Sequence, residues 1–159
     1  MTAGAPSPVL RKVDHSGLRT GQAITIVTLL LSFVLNSWVL VVFVAIAQFL
    51  AAVDAPVAPY RLIYQRIVKP SGLVKPIVID DNPEPHRFAQ LIGSIFNGAA
   101  TLLLLAGVAT VPWVLVWIVI ALANLNLWLN ICLGCMMYYQ LNRLHVPGFT
   151  HAPLTRQQQ

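Results

Sequence analysis

The sequence predicts an all-α, polytopic membrane protein. Four transmembrane helices form two hairpins, and an amphipathic interfacial helix lies between them. Three observations predict it. Of 159 residues, 57% are hydrophobic and only 9% charged, against roughly 25% charged in an ordinary soluble domain. Two long apolar blocks, 22–53 and 88–139, contain no Asp, Glu, Lys or Arg. Each block has an uncharged turn signal near its middle. So few charges exclude a soluble globular enzyme, and the apolar content excludes disorder for the bulk of the chain.

Residues 1–19 read as a cytosolic N-terminal segment carrying Arg11, Lys12 and Arg19. No small-residue cleavage site follows the apolar run, so the first apolar segment is expected to be retained. Residues 20–54 read as the first transmembrane hairpin. One span needs about 20 residues, and Asn36-Ser37 before Trp38 supplies the turn, giving spans at 20–35 and 38–54.

Residues 55–87 read as a cytosolic linker. Pro59 can open a helix. Tyr60, Ile63, Tyr64, Ile67 and Val68 then recur at helical spacing, which makes one apolar stripe. The amphipathic helix is expected over 59–69, ending at Pro70, with Arg61, Arg66 and Lys69 reaching anionic lipid headgroups. Docking of a partner is the alternative role for this helix. Lys75-Pro76-Ile77-Val78-Ile79 is extended by pattern. Asp81-Asn82-Pro83-Glu84-Pro85 reads as a turn and helix cap.

Residues 88–144 read as the second transmembrane hairpin. Its spans are 88–108 and 113–133, with the turn at Ala109-Thr110-Val111-Pro112. The fourth span can continue as a helix into the cytosol as far as Leu144. Residues 145–159 read as a flexible cytosolic tail.

Charge supports the count of four. All ten basic and all five acidic residues fall outside the apolar blocks, and four spans put every one of them on the same side. The positive-inside rule makes that side the cytosol. The protein is therefore expected in the cytoplasmic (inner) membrane, multi-pass, with both termini cytosolic. A weak internal repeat agrees. Val13-Asp14 precedes Arg19-x-x-Gln22, and Ile79-Asp80-Asp81 precedes Arg87-x-x-Gln90, as in a duplicated two-helix unit.

Cys132-Leu133-Gly134-Cys135 is the most specific local feature. Cysteines at i and i+3 share a helix face. Such a pair can cycle between dithiol and disulfide, carry a persulfide, or give two of the four ligands of a zinc site. On an unbroken fourth helix the pair would sit toward a C-terminus, where the dipole disfavours thiolate. Close helix packing by two small residues and a glycine is the competing role. His145 and His151 do not have the spacing of a zinc finger, so no metal and no resident cofactor is expected.

Asn124, Asn126 and Asn130 lie in the fourth apolar stretch and Asn97 in the third. Amides at that depth need partners. They suit interhelical hydrogen bonds, or a polar path to the cysteines. Arg19 and Arg87 stand where spans one and three start. They suit interfacial ion pairs or an anion site near the cysteines, and Asn130 joins them as a candidate binding residue. His86 is a candidate switch on composition alone. No phosphate loop, nucleophile triad or paired carboxylates occur. The lack of aromatic residues interleaved with basic ones argues against nucleic acid.

The segments 59–70 (PYRLIYQRIVKP), 83–90 (PEPHRFAQ) and 132–135 (CLGC), in that order, resemble the bacterial membrane family known as domain of unknown function 4395. The resemblance runs from about Val13 to Leu144. It implies four membrane helices and a Cys-x-Gly-Cys motif. Some members are encoded near thioredoxin-like or rhodanese-like proteins, which implies such partners. Many members carry an acid after the second cysteine, where this chain has Met136.

The functional expectation is thiol–disulfide or sulfur-transfer chemistry at the cytosolic membrane boundary, with Cys132 and Cys135 as the reactive pair and Arg19, Arg87 and Asn130 shaping the site. The alternative is a non-catalytic accessory or structural subunit of a larger membrane complex. Passive transport of a small neutral or sulfur-containing solute is a third and weaker reading.

Overall fold

The structure is a computed structural model and describes residues 11–72, 74, 75 and 77–144. The expected tail at 145–159, His145 and His151 included, lies outside the described residues, as do 1–10 of the N-terminal segment and Pro76 of the extended stretch.

The chain opens with strand β1 (Arg11–Asp14) and helix α1 (His15–Val34). The Asp14 carboxylate accepts the Ser16 amide at 3.0 Å, an N-cap that satisfies one orphan donor of the first turn. The helix therefore starts five residues before the expected boundary. It ends at the expected turn, where Asn36 takes φ 48°, a left-handed conformation that Asn tolerates better than most residues. Helix α2 (Trp38–Ala52) runs back over 15 residues. Asp54 follows with φ 55°, and Pro59 opens helix α3 (Pro59–Ile63), which continues as one π-helical turn, Tyr64–Val68.

The second half repeats this order. Strand β2 (Val78–Asp81) precedes helix α4 (Pro83–Leu105). The Asn82 side chain accepts the Glu84 amide at 3.2 Å, and Pro83 fills the first turn, where its missing N–H costs nothing. Gly107, φ 80°, turns the chain. Helix α5 (Thr110–Leu129) returns. Asn130, φ 54°, ends it, and helix α6 (Leu133–Arg143) follows. Strands β1 and β2 pair antiparallel, with Arg11 opposite Asp81 and Asp14 opposite Val78. This two-stranded ribbon was not expected, because strand pairing between residues so far apart leaves little trace in local pattern.

Among the described residues the fold is all-α apart from the ribbon, with six helices. Three of them, α1, α4 and α5, are long and apolar enough to cross a membrane, and α2 is a shorter apolar helix. These features describe a multi-pass membrane protein. Leu29, Val41, Val44, Ala100, Val116 and Ile120 form the core between the four. Large apolar side chains such as Val34 and Leu102 stay exposed on the outside, the distribution that lipid, not water, accommodates.

The helix pair α2 and α4 makes the most extensive contact. Gln48 Oε1 accepts from Asn97 Nδ2 at 2.9 Å there, so Asn97 has an interhelical partner. A Cβ at Gly93 would meet Gln48 Nε2 at 2.8 Å, so a side chain there would displace the amide that Asn97 bonds. Asn124 instead donates to Ile120 O of its own helix at 2.9 Å.

Two arginines cross between the halves. Arg87 Nε, at the start of α4, donates to Ala52 O at the end of α2, 2.8 Å. Arg19 Nη2, early in α1, donates to Leu127 O near the end of α5, 3.2 Å. Each cation meets carbonyls that a helix C-terminus leaves unpaired. Two tyrosines make equivalent bonds to carboxylates, each within its own half. Tyr64 OH donates to Asp14 Oδ2 at 2.6 Å, and Tyr138 OH donates to Glu84 Oε2 at 2.6 Å.

Two expectations need correction. The fourth span does not continue unbroken toward Leu144. Asn130 in the left-handed region cannot propagate a right-handed helix, so α5 stops and α6 begins as a separate helix. The apolar stripe at 59–69 does not face one way. Tyr60 and Tyr64 are buried against Gly21 and Gly17 of α1, while the π turn leaves Ile67 exposed.

Candidate functional site

The break at Asn130 changes the setting of the cysteines. Cys132 is the N-cap of α6, with extended backbone dihedrals, and its Sγ accepts the Cys135 amide at 3.2 Å. Helix N-termini carry a partial positive charge and free N–H groups. The pair therefore stands at the helix end that favours a thiolate, opposite to what an unbroken helix implied. The two cysteines are joined as a disulfide, with Cα atoms 5.1 Å apart. Cys132 is half-buried and Cys135 buried.

Gly134 lets α6 approach α4. A Cβ there would lie 2.5 Å from Ala89 Cβ and 2.7 Å from Ala89 Cα. This contact brings Cys135 to the first turn of α4, where Sγ lies 3.6 Å from His86 Nδ1. The other ring nitrogen of His86, Nε2, meets Asp81 Oδ2 at 3.0 Å. The same oxygen meets His15 Nε2 at 3.1 Å, and the two imidazoles lie edge to face, with centroids 5.7 Å apart. Asp81 also accepts the Asn82 amide at 2.7 Å. The His86 hydrogen bond, aided by that amide and opposed by burial, holds the Asp81 carboxyl at about 2. It therefore remains a carboxylate that fixes the histidine ring.

The result is a chain of three groups, Cys135, His86 and Asp81, drawn from α6, α4 and β2. The β1–β2 pairing places Asp81, and the Asn82 cap sets the direction in which α4 leaves it. A histidine held by a carboxylate and touching a thiol can take and return a proton. His86 Nδ1, Cys132 Sγ and Cys135 Sγ all lie within 4.8 Å of one another, a donor set that suits a thiophilic ion.

Arg19 and Arg87 hydrogen-bond to Leu127 O and Ala52 O. Asn130 is the residue that ends α5 just before the motif. A small cleft beside Cys132 is also lined by Gln22, Gln48, Gln90 and Asn126. Gln22 Oε1 and Gln90 Oε1 are buried there without a hydrogen-bond partner.

Sequence reasoning singled out both cysteines but missed Asp81 and His15, and gave His86 little weight. A ligand for the cysteines was sought downstream, at His145 and His151, whereas the histidine that meets them lies 49 residues upstream of Cys135. The available signal was the helix cap at Asn82-Pro83, which sets His86 on the first turn of α4 (Pro83–Leu105).

No curated protein and no solved structure matches the chain. The model of the family described as "Domain of unknown function (DUF4395)" matches residues 13–143. The chain belongs to that family.

Proposed function

We propose that this is a membrane thiol–disulfide exchange protein whose reactive pair is Cys132 and Cys135. The observation that carries the reading is the position of Cys132 as N-cap of α6, bonded to Cys135, with His86 and Asp81 behind. Gly134 accounts for the close approach of α6 to α4, so the sulfurs are left for another role.

In the reduced protein the Cys132 thiolate attacks one sulfur of a partner's disulfide. That S–S bond breaks, the first partner thiolate leaves, and a mixed disulfide forms. Cys135 then passes its proton to His86 Nδ1, and its sulfur attacks Cys132 Sγ. The mixed disulfide breaks, and the second partner thiolate leaves with a proton. The partner gains two electrons. One proton reaches it from Cys135 through His86. The first leaving thiolate takes the other from water, matching the proton that Cys132 released on becoming a thiolate, and the Cys132–Cys135 disulfide holds the oxidised state. Each step is reversible, so the direction follows the relative reduction potentials.

The same proposal reads the chain as four spans in two hairpins, with the ribbon, α3 and α6 at one cytosolic membrane face. Support comes from the uncharged turns at Asn36 and Gly107 and from the shared order of strand, two helices and short helix in each half. Arg19 and Arg87 cross to equivalent helix ends, as expected of a duplicated unit. Arg61, Arg66 and Lys69 are exposed; Arg61 pairs with Asp54 at 3.5 Å, and anionic headgroups at that face would neutralise the remaining charge. Thioredoxin-like or rhodanese-like proteins are the fitting partners.

The test is equilibration of the detergent-solubilised protein in glutathione buffers, followed by alkylation and mass measurement. A two-electron transition lost in Cys132→Ser and in Cys135→Ser is expected. Thiols that stay unreactive and unpaired across all buffers would overturn the reading.

A further inference from the structure

We propose that the reduced protein is a zinc site in which Cys132 Sγ, Cys135 Sγ and His86 Nδ1 bind one ion and leave a fourth position open. It goes beyond the exchange reading, because it requires only that the thiols be free.

Four features carry it. The three donor atoms lie within 4.8 Å of one another. Tetrahedral zinc with sulfur at ~2.3 Å and nitrogen at ~2.0 Å sets an S···N edge of about 3.5 Å, and Cys135 Sγ stands 3.6 Å from His86 Nδ1. The cysteines sit at i and i+3 on one helical turn, and the free amides of that turn stabilise thiolate ligands. His86 turns Nδ1 to the sulfurs while Nε2 is held by Asp81 Oδ2 at 3.0 Å. That carboxylate–histidine arrangement fixes the tautomer and the ring orientation of a metal-binding imidazole. The Asp81 carboxylate is itself held by His15 and by the Asn82 amide.

Two thiolates and one neutral imidazole give a site of net charge zero around a divalent cation. Such a soft, mixed donor set suits zinc far better than magnesium or calcium. Cys132 is half-buried where Cys135 is buried, so water or a partner thiolate would reach the ion from the Cys132 side to complete the tetrahedron. The disulfide form offers no thiolate and serves as a metal-free control within the same chain.

The experiment uses the full-length protein in detergent, reduced, stripped with a chelator and then titrated with Zn²⁺ against a chromophoric competitor. About one zinc per reduced chain is expected, and none per oxidised chain. Cys132→Ser and Cys135→Ser should each abolish tight binding. Asp81→Asn should weaken it about 10- to 100-fold, with helix content unchanged by circular dichroism. Co²⁺ is a second probe of the wild-type protein, which needs no variant to fold: thiolate-to-metal charge transfer and tetrahedral visible bands are expected. Absence of zinc uptake by the reduced protein, or cobalt spectra without thiolate bands, would overturn the proposal. Zinc uptake that survives His86→Ala unchanged would overturn it too. Failure here with an intact glutathione transition leaves disulfide exchange standing. Zinc uptake without such a transition would instead support a purely metal-binding pair.

Discussion

Cys135 Sγ stands 3.6 Å from His86 Nδ1, although 49 residues separate them. Three local features create that relationship: the cap at Asn82, the restart of the helix at Cys132, and the absence of a side chain at Gly134. None of the three involves both residues. The contact is therefore a product of packing, and each contributor can be varied separately.

Replacing His86 should separate the two steps of exchange. His86 touches Cys135, not the sulfur that meets the partner, so His86→Ala should leave formation of the mixed disulfide nearly unchanged. Its resolution should slow by about 10²-fold, at the low end of what a positioned proton acceptor contributes. Rapid acid quenching followed by gel shift reads both steps. Equal slowing of both steps would contradict the assignment. Cys135→Ser should trap the mixed disulfide outright, and Cys132→Ser should trap none.

Gly134→Ala tests the helix contact. The new Cβ would fall 2.5 Å from Ala89 Cβ and 2.7 Å from Ala89 Cα. Part of that clash is with backbone, so a side-chain rotation does not relieve it. The expected cost is about 1–3 kcal/mol, the usual range for overpacking. Thermal unfolding in detergent measures it. Ala89→Gly in the same chain removes one of the two clashing atoms and should recover only part of the loss.

Much of the fold was legible because the relevant signals are local. Asn36-Ser37 looked like a turn and is one. Pro59 starts a helix, and Asn82 caps one. The break at Asn130 was hidden by its neighbours: Leu127, Trp128, Leu129, Ile131 and Leu133 continue an apolar run, so an asparagine among them reads as an amide inside a span. Only the backbone at Asn130, with φ 54°, reveals the stop. The site was legible in its sulfurs and not in its acid–base chain, because Asp81 and His86 reach the cysteines through strand pairing and helix docking, which leave no periodicity.

The two crossing arginines should affect stability unequally. Arg87 donates to Ala52 O at 2.8 Å in a partly buried setting, and Arg19 to Leu127 O at 3.2 Å in an exposed one. A charged hydrogen bond is worth about 1.5–3 kcal/mol, and water screens the exposed case. Arg87→Met should therefore lower the unfolding midpoint clearly, and Arg19→Met only slightly. The glutathione transition should persist in both if their role is to cap helices. A shift of that transition in Arg87→Met would instead favour a role at the site.

High pH should loosen the docking of α3. Burial, then the hydrogen bond to Asp14, pushes Tyr64 up to about 12 from 10.0. Burial also pushes Tyr60 up to about 12, partly offset by the hydrogen bond from Thr25. A raised pKa means that the folded chain holds these protons more tightly than the unfolded chain. Their contribution to stability is therefore complete below pH 10 and falls as pH climbs from 10 through 12. Ionised Tyr64 would place a phenolate against the Asp14 carboxylate, whose Oδ2 lies 2.6 Å from the Tyr64 hydroxyl oxygen. The phenolate absorbance of Tyr64→Phe should lack one late-titrating group. Its unfolding midpoint should fall less steeply with pH than that of the wild type, from a slightly lower neutral value because the hydrogen bond to Asp14 is gone. Equal slopes in both proteins would show that Tyr64 does not carry the alkaline sensitivity.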